Sequence, residues 1–281
     1  MLRHSSNKMP SSFSAVVIVF GLLFLCNGPV IASDVSSDFR INGKYIKKFK
    51  GDFVDVVKSP IAWKKKDAFN LSVVVGMGAV LLAFDPKISD WSQEQRSSKT
   101  DNVSRFVSPL GSGAFFAVFL PSLYASGEIF HERSLRKTAL LSLESWLTSG
   151  VIVYGLKWMT GRARPSTTEE AYFFHPFSAR SGYHSFPSGH SSSAFAVATV
   201  IAEQSEEFVV DFIAYSLSTL AALSRIHDKK HWASDVFIGS VIGYCVGKKI
   251  SALNRDNSSD RIQLTFLCSH GRRGLTLTIF F

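Results

Sequence analysis

The sequence spaces a lysine and an arginine so that both can bind one anion. Lys157 and Arg164 lie seven residues apart, about two helical turns, so a helix places both cations on nearly one face. Pro165 is expected to end that helix, because proline lacks the N–H that a helix interior needs. Two cations that point to one place favour a bound anion there. The ordinary alternative is a basic helix end that offsets the helix dipole.

A second cluster joins a predicted helix start to a histidine. Pro187, Ser188, Gly189 and His190 come just before a serine-rich apolar run. The free backbone N–H groups of a helix start bind anions, and a glycine lets an anion approach the backbone closely. We therefore predict an anion cradle with His190 at its mouth. A serine cap beside a histidine is also common at helix starts that bind nothing.

The third cluster contains an arginine and a His–Asp pair. Arg225 can form two parallel hydrogen bonds to phosphate oxygens. His231 and Asp235 are four residues apart and are therefore neighbours on a helix face. A carboxylate bonded to one imidazole nitrogen fixes the tautomer and leaves the other nitrogen as a base or nucleophile. An isolated surface pair of this kind would carry no chemistry.

Taken in order, the clusters form a pattern that is more specific than any one of them. They spell Lys-x6-Arg-Pro, Pro-Ser-Gly-His and Ser-Arg-x5-His-x3-Asp, with 21 and 33 residues between them. This pattern resembles the type 2 phosphatidic acid phosphatase (PAP2) superfamily, which also contains bacterial class A acid phosphatases and vanadium haloperoxidases. The resemblance covers residues 68–250, and its motifs are confined to residues 157–235. It implies an all-α helical bundle of the PAP2/haloperoxidase type.

The resemblance also implies roles for individual residues in the hydrolysis of a phosphate monoester. His231 would attack phosphorus, Asp235 would orient His231, and His190 would protonate the leaving alcohol and then activate water. No metal and no other cofactor is implied, because cations and a helix start already supply positive charge. The residues that would hold the phosphoryl oxygens are Lys157, Arg164, Ser188, Gly189 and Arg225.

The sequence leaves the substrate class open. A lipid phosphate and a broad range of soluble monoesters both fit, and a haloperoxidase that holds vanadate in the same cradle is the alternative function. A protein that only binds phosphate is disfavoured, because His190, His231 and Asp235 are all present. The formal net charge of +9 suits anionic partners. The basic residues are scattered, however, so nucleic acid is not an expected partner.

Helices are the elements that must position these clusters. Apolar stretches rich in small residues recur along the chain, and their lengths favour helices over strands. Asp85 and Pro86 are expected to end the first of them. The stretches run over residues 68–84, 110–127, 138–156, 191–202, 208–223 and 235–247.

Three further segments surround the helical domain, which is assigned to residues 68–250. Residues 1–32 combine a basic start, an apolar run of 13 residues and a small-residue cleavage site, the pattern of a secretory signal peptide. Residues 33–67 form a polar lead-in. Residues 251–281 form a linker and a C-terminal β-hairpin, which the terminal alternation of apolar residues and threonine indicates.

Two interpretations of localisation conflict. If the stretches were membrane spans, the positive-inside rule would place both the lead-in and Arg133, Arg136, Lys137, Lys248 and Lys249 in the cytoplasm. A cleaved signal peptide would instead place the lead-in outside. Because most stretches are shorter than the roughly 20 residues of a span, we predict a largely soluble protein of the periplasm or cell envelope, with its active site outside the cytoplasm. An integral inner-membrane protein is the alternative, and the oligomeric state stays open.

Two features near the clusters have ordinary explanations. Arg162 follows Lys157 by five residues, about 140° around a helix, and is expected to face away from the site. The loop over residues 166–186 holds six aromatic residues. These rings would cover the pocket, contact an acyl chain or simply pack against one another.

Overall fold

The computed structural model describes residues 39–255, apart from positions 63, 168–169 and 206, and the backbone of two later strands. The predicted signal peptide lies outside the described residues. The helices from Phe39 to Leu253 form one compact unit. The α-helices are α1 (Gly43–Lys58), α2 (Lys65–Glu94), α3 (Ser98–Val107), α4 (Gly113–Ile129), α5 (Arg133–Thr160), α6 (Gly189–Gln204), α7 (Phe208–His227) and α8 (Ala233–Leu253).

Three short 3-10 helices connect these elements, and an all-α bundle is confirmed for this unit. The short helices are Ser59–Ala62, Ser108–Gly111 and Ser181–Tyr183. Most helices extend beyond the apolar stretch that predicted them, because polar and charged residues continue the helix at its ends; α4 instead begins three residues inside its stretch, after a separate 3-10 helix. In α5, for example, the added first turn carries Arg133, Arg136 and Lys137.

The expected helix end at Asp85 and Pro86 is wrong. Helix α2 continues through Pro86 to Glu94, and Asp85 is fully buried. Its carboxylate accepts hydrogen bonds from Arg162 and from Ser234 at the start of α8. These contacts hold the chain in place where proline removes one helical hydrogen bond, and such prolines are tolerated in spanning helices with close neighbours.

Several helices are long and apolar enough to cross a membrane. Among the described residues four qualify, namely α2, α5, α7 and α8, and a fifth span arises if α3 with its 3-10 extension and α4, which meet at 59°, count as one. The apolar window of α2 is 0% buried inside the protein, so this helix presents an apolar surface to its surroundings. The chain is therefore a membrane protein, and the prediction of a largely soluble bundle gives way to its integral-membrane alternative.

Helix α6 packs closely against α8 through a line of glycines. A methyl group at Gly239 would lie 2.4 Å from the carbonyl oxygen of Ser188, and one at Gly243 would lie 2.2 Å from that of Ser192. Small residues at such spacing allow two spanning helices to approach backbone to backbone. The contact places the first turn of α8, with Asp235, beside the first turn of α6.

The two C-terminal strands belong to a separate unit. Strands β1 (Ile262–Ser269) and β2 (Arg272–Ile279) pair antiparallel. In their register Ile262 lies opposite Ile279, and Ser269 lies opposite Arg272.

Candidate active site

The three sequence clusters meet at one end of the bundle. Helices α5 and α7 end there, and α6 and α8 begin there, because consecutive helices run in opposite directions. The N–H of Ser188 donates to the carbonyl of Asp235 at 2.9 Å. A methyl group at Gly189 would lie 3.8 Å from Cε of Lys157. The arrangement brings the eight predicted site residues to one end of the protein, which we call the site end.

His231 and Asp235 form a fully buried pair. His231 lies just before α8, and its Nδ1 is 3.7 Å from Oδ2 of Asp235. The same carboxylate oxygen accepts a hydrogen bond from the Ser185 hydroxyl at 2.5 Å and from the Trp232 N–H at 3.0 Å. Burial, reinforced by the charges of Lys157 and Arg164, lowers the pKa of His231 to about 3. The imidazole is therefore neutral near pH 7, as a nucleophile must be.

His190 occupies the first turn of α6 and faces the same cations. Burial lowers its pKa to about 4, and the charges of Arg225, Arg164 and Lys157 act in the same direction. The 3-10 helix before α4 fixes its backbone, since a methyl group at Gly111 would lie 2.9 Å from the carbonyl oxygen of His190. A second neutral imidazole thus lies within the electrostatic reach of all three cations.

Backbone carbonyls hold Lys157 in place. Its ammonium group donates to the carbonyls of His184 at 2.7 Å and of Ser185 at 3.3 Å. An ammonium group has three donors, so these two bonds leave one for another partner. Lys157 forms no ion pair within the described part of the chain.

Arg164 is held in a similar way. Its guanidinium donates to the carbonyls of Ser181 at 3.2 Å, Lys230 at 3.4 Å and His184 at 3.4 Å. Burial lowers its pKa, and the charge of Asp235 opposes the shift. Arg164 likewise forms no ion pair among the residues the structure describes. Carbonyls orient a cation without neutralising it, so both charges are available to an anion.

Arg225 is oriented by different partners. Its guanidinium donates to the Ser108 hydroxyl and lies 3.6 Å from Asp228. Asp228 in turn accepts a hydrogen bond from Ser104 of α3 at 2.8 Å. Helix α3 therefore positions this third cation from outside the clusters. No local pattern in the sequence predicts this contact, because Ser108 and Arg225 are 117 residues apart.

Ser188 caps helix α6. Its buried hydroxyl accepts from the Ser191 N–H at 3.4 Å and lies 2.9 Å from the Ser191 hydroxyl. The first N–H groups of a helix have no partner within the helix. The predicted cradle at Ser188 and Gly189 is thus the start of a well-formed helix that adjoins Lys157 and His190.

The expectation that Arg162 faces away from the site is wrong. Helix α5 ends at Thr160, and Gly161 adopts a left-handed conformation with φ of 57°. The expectations that Pro165 ends this helix and that Lys157 and Arg164 share a helix face are therefore also wrong, because the helix stops before Arg164. Arg162 therefore does not follow the helical angle, and its guanidinium donates to Asp235 at 2.5 Å. A glycine after an apolar helical run is a common helix end. That signal was present in the sequence and would have removed the angular argument.

The aromatic loop after α5 is held by several contacts and exposes part of its rings. Phe177 packs edge-on against Trp158 with ring centroids 4.7 Å apart, and the Tyr172 hydroxyl donates to the carbonyl of Ala83 at 3.4 Å. The rings of Tyr172, Phe174 and Phe177 are 45–60% exposed. They form an apolar surface at the site end of the bundle.

Comparisons with known proteins agree with this arrangement. The family model of the PAP2 superfamily matches residues 138–258. A lipid A 1-phosphatase of Porphyromonas gingivalis is 29% identical over 54% of this chain, which spans only 30% of that protein's length. A lipid A 1-phosphatase of Rhizobium etli is 24% identical over 66% of this chain and 82% of its own length.

A solved structure supports the same fold. A transmembrane PAP2-type phosphatidylglycerolphosphate phosphatase from Bacillus subtilis superposes with a TM-score of 0.54 at 22% identity. The match covers 68% of this chain and 98% of that protein.

Proposed function

The chain belongs to the PAP2 superfamily of phosphatases, and on that premise we propose that it removes phosphate from a lipid phosphate monoester at the membrane surface. The observation that carries this proposal is the meeting of two neutral histidines and three cations at one end of spanning helices. Each relative's name refers to a phosphate ester of a lipid. A lipid headgroup lies at the depth where the ends of such helices meet water.

In the first step, Nε2 of His231 attacks phosphorus and the bond from phosphorus to the lipid oxygen breaks. The carboxylate of Asp235 faces the Nδ1–H of His231, favours the tautomer with its lone pair on Nε2 and stabilises the positive charge that the ring gains on attack. His190 gives a proton to the departing lipid alkoxide. The products of this step are the lipid alcohol and a phosphohistidine.

His190 must carry a proton for this step, although its pKa of about 4 makes it neutral in the free site. Three cations contribute to that low pKa. A bound phosphate monoester brings a charge of about −1.5 to −2 and offsets the cations. Substrate binding therefore raises the pKa of His190, so His190 becomes protonated and can act as the acid only when its substrate is bound.

In the second step, water attacks the phosphohistidine and the bond from phosphorus to Nε2 breaks. His190, now neutral, takes a proton from that water. Inorganic phosphate leaves, and His231 returns to its starting form. Lys157, Arg164 and Arg225 hold the three equatorial oxygens in both steps, and the N–H groups at Gly189 add the positive end of α6.

A lipid substrate agrees with the surface next to the site. The exposed rings of Tyr172, Phe174 and Phe177 lie where the site end meets the membrane interface, and aromatic rings favour that depth. Acyl chains in the outer part of the bilayer would contact these rings while the headgroup enters the cation cluster. A soluble monoester would make no use of them.

The experiment that tests the function compares matched substrates. The purified protein in detergent micelles is given dioleoyl phosphatidic acid or glycerol 3-phosphate, without added vanadate or divalent ions. We expect release of inorganic phosphate, with at least ten-fold higher kcat/KM for the lipid. Release from neither compound, by a protein that retains its helical circular dichroism, would contradict the proposal. Equal kcat/KM for both would contradict the lipid preference.

We also propose that the site faces away from the cytoplasm. The opposite end of the bundle, which we call the far end, carries Arg133 and Lys137 at the start of α5 and Lys248 near the end of α8. Helix α1 lies at this end too, since the Tyr45 hydroxyl donates to the carbonyl of Leu140 at 3.4 Å. The lead-in and the basic helix ends thus share one side, as the positive-inside rule favours.

Labelling of intact cells tests this orientation. Arg180→Cys at the site end and Lys47→Cys at the far end are made with the three native cysteines replaced by serine. A membrane-impermeant maleimide should label only the cysteine at position 180. Labelling at position 47 alone would reverse the orientation.

A further inference from the structure

Arg162 joins two buried carboxylates that come from different helices. Its two terminal nitrogens donate to Oδ1 of Asp235 at 2.5 Å and to Oδ2 of Asp85 at 2.7 Å. The side chains of all three residues are fully buried. Asp85 belongs to α2, and Asp235 lies in the first turn of α8. The guanidinium therefore connects the first spanning helix to the carboxylate beside His231.

All five N–H donors of Arg162 are used within the protein. Besides the two carboxylates, the guanidinium donates to the Ser234 hydroxyl at 2.7 Å and twice to the carbonyl of Ala171, at 2.9 and 2.8 Å. An arginine has five such donors. No donor is left for a phosphate, so Arg162 cannot bind the phosphoryl oxygens together with Lys157, Arg164 and Arg225.

Asp85 completes the network from the other side. Its Oδ1 accepts the N–H of Ser234 at 2.9 Å, and its Oδ2 accepts the Ser234 hydroxyl. Asp85 thus fixes both the guanidinium of Arg162 and the residue directly before Asp235. A buried ionic group is retained at low cost only when it is paired and hydrogen-bonded in this way.

The network determines what Asp235 can do for His231. Arg162 occupies Oδ1, and Oδ2, which also accepts from Ser185 and Trp232, faces Nδ1 of His231 at 3.7 Å, beyond hydrogen-bond distance. An ionised Asp235 favours the tautomer of His231 that carries its proton on Nδ1 and its lone pair on Nε2. A protonated Asp235 would donate to Nδ1 instead, place the ring proton on Nε2 and block the attack. A fixed positive charge beside Oδ1 favours the ionised form.

We propose that Arg162, held by Asp85, is a positioning residue that keeps Asp235 ionised and oriented and so selects the nucleophilic tautomer of His231. This role rests on the proposed function. In it, Arg162 and Asp85 act on the reaction through Asp235 and do not contact the substrate. The two carboxylates and one guanidinium carry a net charge of −1. That charge also offsets the positive charge that His231 gains when its Nε2 binds phosphorus.

Three variants and one control test the proposal in detergent micelles. Arg162→Gln removes the charge, Arg162→Lys keeps it but cannot reach both carboxylates, and Asp85→Asn keeps the shape of the anchor. Arg180→Gln changes an exposed arginine of the same loop and is the matched control. For each, kcat, KM, inhibition by inorganic phosphate and the pH dependence of kcat/KM are measured.

A positioning role predicts a loss in kcat alone. We expect kcat to fall at least 100-fold in Arg162→Gln and about ten-fold in Arg162→Lys and Asp85→Asn. KM and the inhibition constant of phosphate should stay within three-fold of the wild type. The acid limb of the pH profile should move to higher pH in Arg162→Gln, because Asp235 then takes up a proton more readily. Arg180→Gln should match the wild type throughout.

Other results would overturn the role. A folded Arg162→Gln protein with kcat within three-fold of the wild type would do so, and so would a loss confined to KM, which would place Arg162 on the phosphate. If Arg162→Gln loses its thermal transition, Arg162→Lys decides by the same criteria. If neither folds, the network is structural and the positioning role is wrong. An inactive wild-type protein would instead contradict the proposed function itself.

Discussion

Two groups of buried polar residues lie at different depths of the bundle, and they are bonded in different ways. At the site end, the carboxylates of Asp85 and Asp235 accept hydrogen bonds from Arg162, Ser185 and Ser234. In the middle of α5, Glu144 is 1% exposed. Neither of its oxygens reaches normal hydrogen-bond geometry with a partner in the described part of the chain, although Tyr45 and Asp52 lie beside it.

The difference shows where the protein needs exact geometry. Directional hydrogen bonds hold a side chain to within a fraction of an ångström, which proton transfer and attack on phosphorus require. Packing between helices sets positions less strictly. Beside Glu144, the hydroxyls of Ser145 and Thr148 on the same helix are also buried without a hydrogen-bond partner in the described residues. We therefore expect substitutions at the site end to change chemistry and those at mid-helix to change stability.

The largest effect is expected from His231→Ala. It removes the only nucleophile that the mechanism uses, so activity should fall at least 1,000-fold while the thermal transition is kept. Phosphoenzyme that is acid-labile and base-stable should be trapped in the wild type and be absent from the variant. A variant that keeps more than a few per cent of activity would show that another residue attacks phosphorus.

A smaller loss is expected from Arg164→Lys. The guanidinium receives its orientation from three carbonyls, and a lysine cannot make the same planar set of bonds. We expect kcat/KM to fall about 30-fold, with weaker inhibition by vanadate, which occupies the same oxygen sites. Unchanged vanadate inhibition would mean that Arg164 does not contact the phosphoryl group.

The pH dependence should separate the two histidines. His231 is protonated only as the pH falls towards its pKa of about 3, so activity should decline there on the acid side. His190 must be protonated to act as the acid, so kcat/KM should decline as the pH rises above its own pKa. Arg225→Gln removes a cation that lowers the pKa of His190. The alkaline limb should then move to higher pH by roughly half a unit to one unit, and an unmoved limb would contradict His190 as the acid.

The order of the helices was predictable from the sequence, because apolar stretches mark the helices. The motifs also selected residues that the structure places at one end of the bundle, but their assumed helical spacing was wrong, since Arg164 lies beyond the end of α5 at Thr160 and His231 precedes α8. The catalytic and binding roles of these residues stay predictions. The lengths of the helices were not predictable from hydropathy. The polar ends of a spanning helix lie at the membrane surface, where charged residues such as Arg133 continue the helix at no cost.

The contacts that organise the site were outside the reach of local reasoning. Asp85 lies 77 residues from Arg162, and only tertiary packing brings α2 and the loop after α5 together. Taken alone, an Asp-Pro pair indicates a helix end, and an arginine five residues after a lysine indicates another face. Both residues belong to the same network, but the two interpretations failed for different reasons: tertiary contacts hold α2 through Asp85 and Pro86, whereas the local helix end at Gly161 releases Arg162 from the helical angle.

The smallest effect is expected from Glu144→Gln, which tests the other half of the comparison. The change keeps the shape of the side chain and replaces a buried carboxyl group that has Asp52 as a neighbour. Burying a carboxyl group without a hydrogen-bond partner is costly in either protonation state, so the amide should unfold at a temperature equal to or a few degrees above that of the wild type. Because Glu144 is 13 residues from Lys157 along α5, about 20 Å at 1.5 Å per residue, kcat and KM should stay within two-fold.

Thermal unfolding in micelles measures the change in stability, and phosphate release from phosphatidic acid measures kcat and KM. The control is Glu132→Gln, which changes an exposed glutamate that precedes the same helix. A ten-fold loss of kcat at unchanged stability would show that the middle of α5 takes part in the chemistry, and the division between the two regions would then fail.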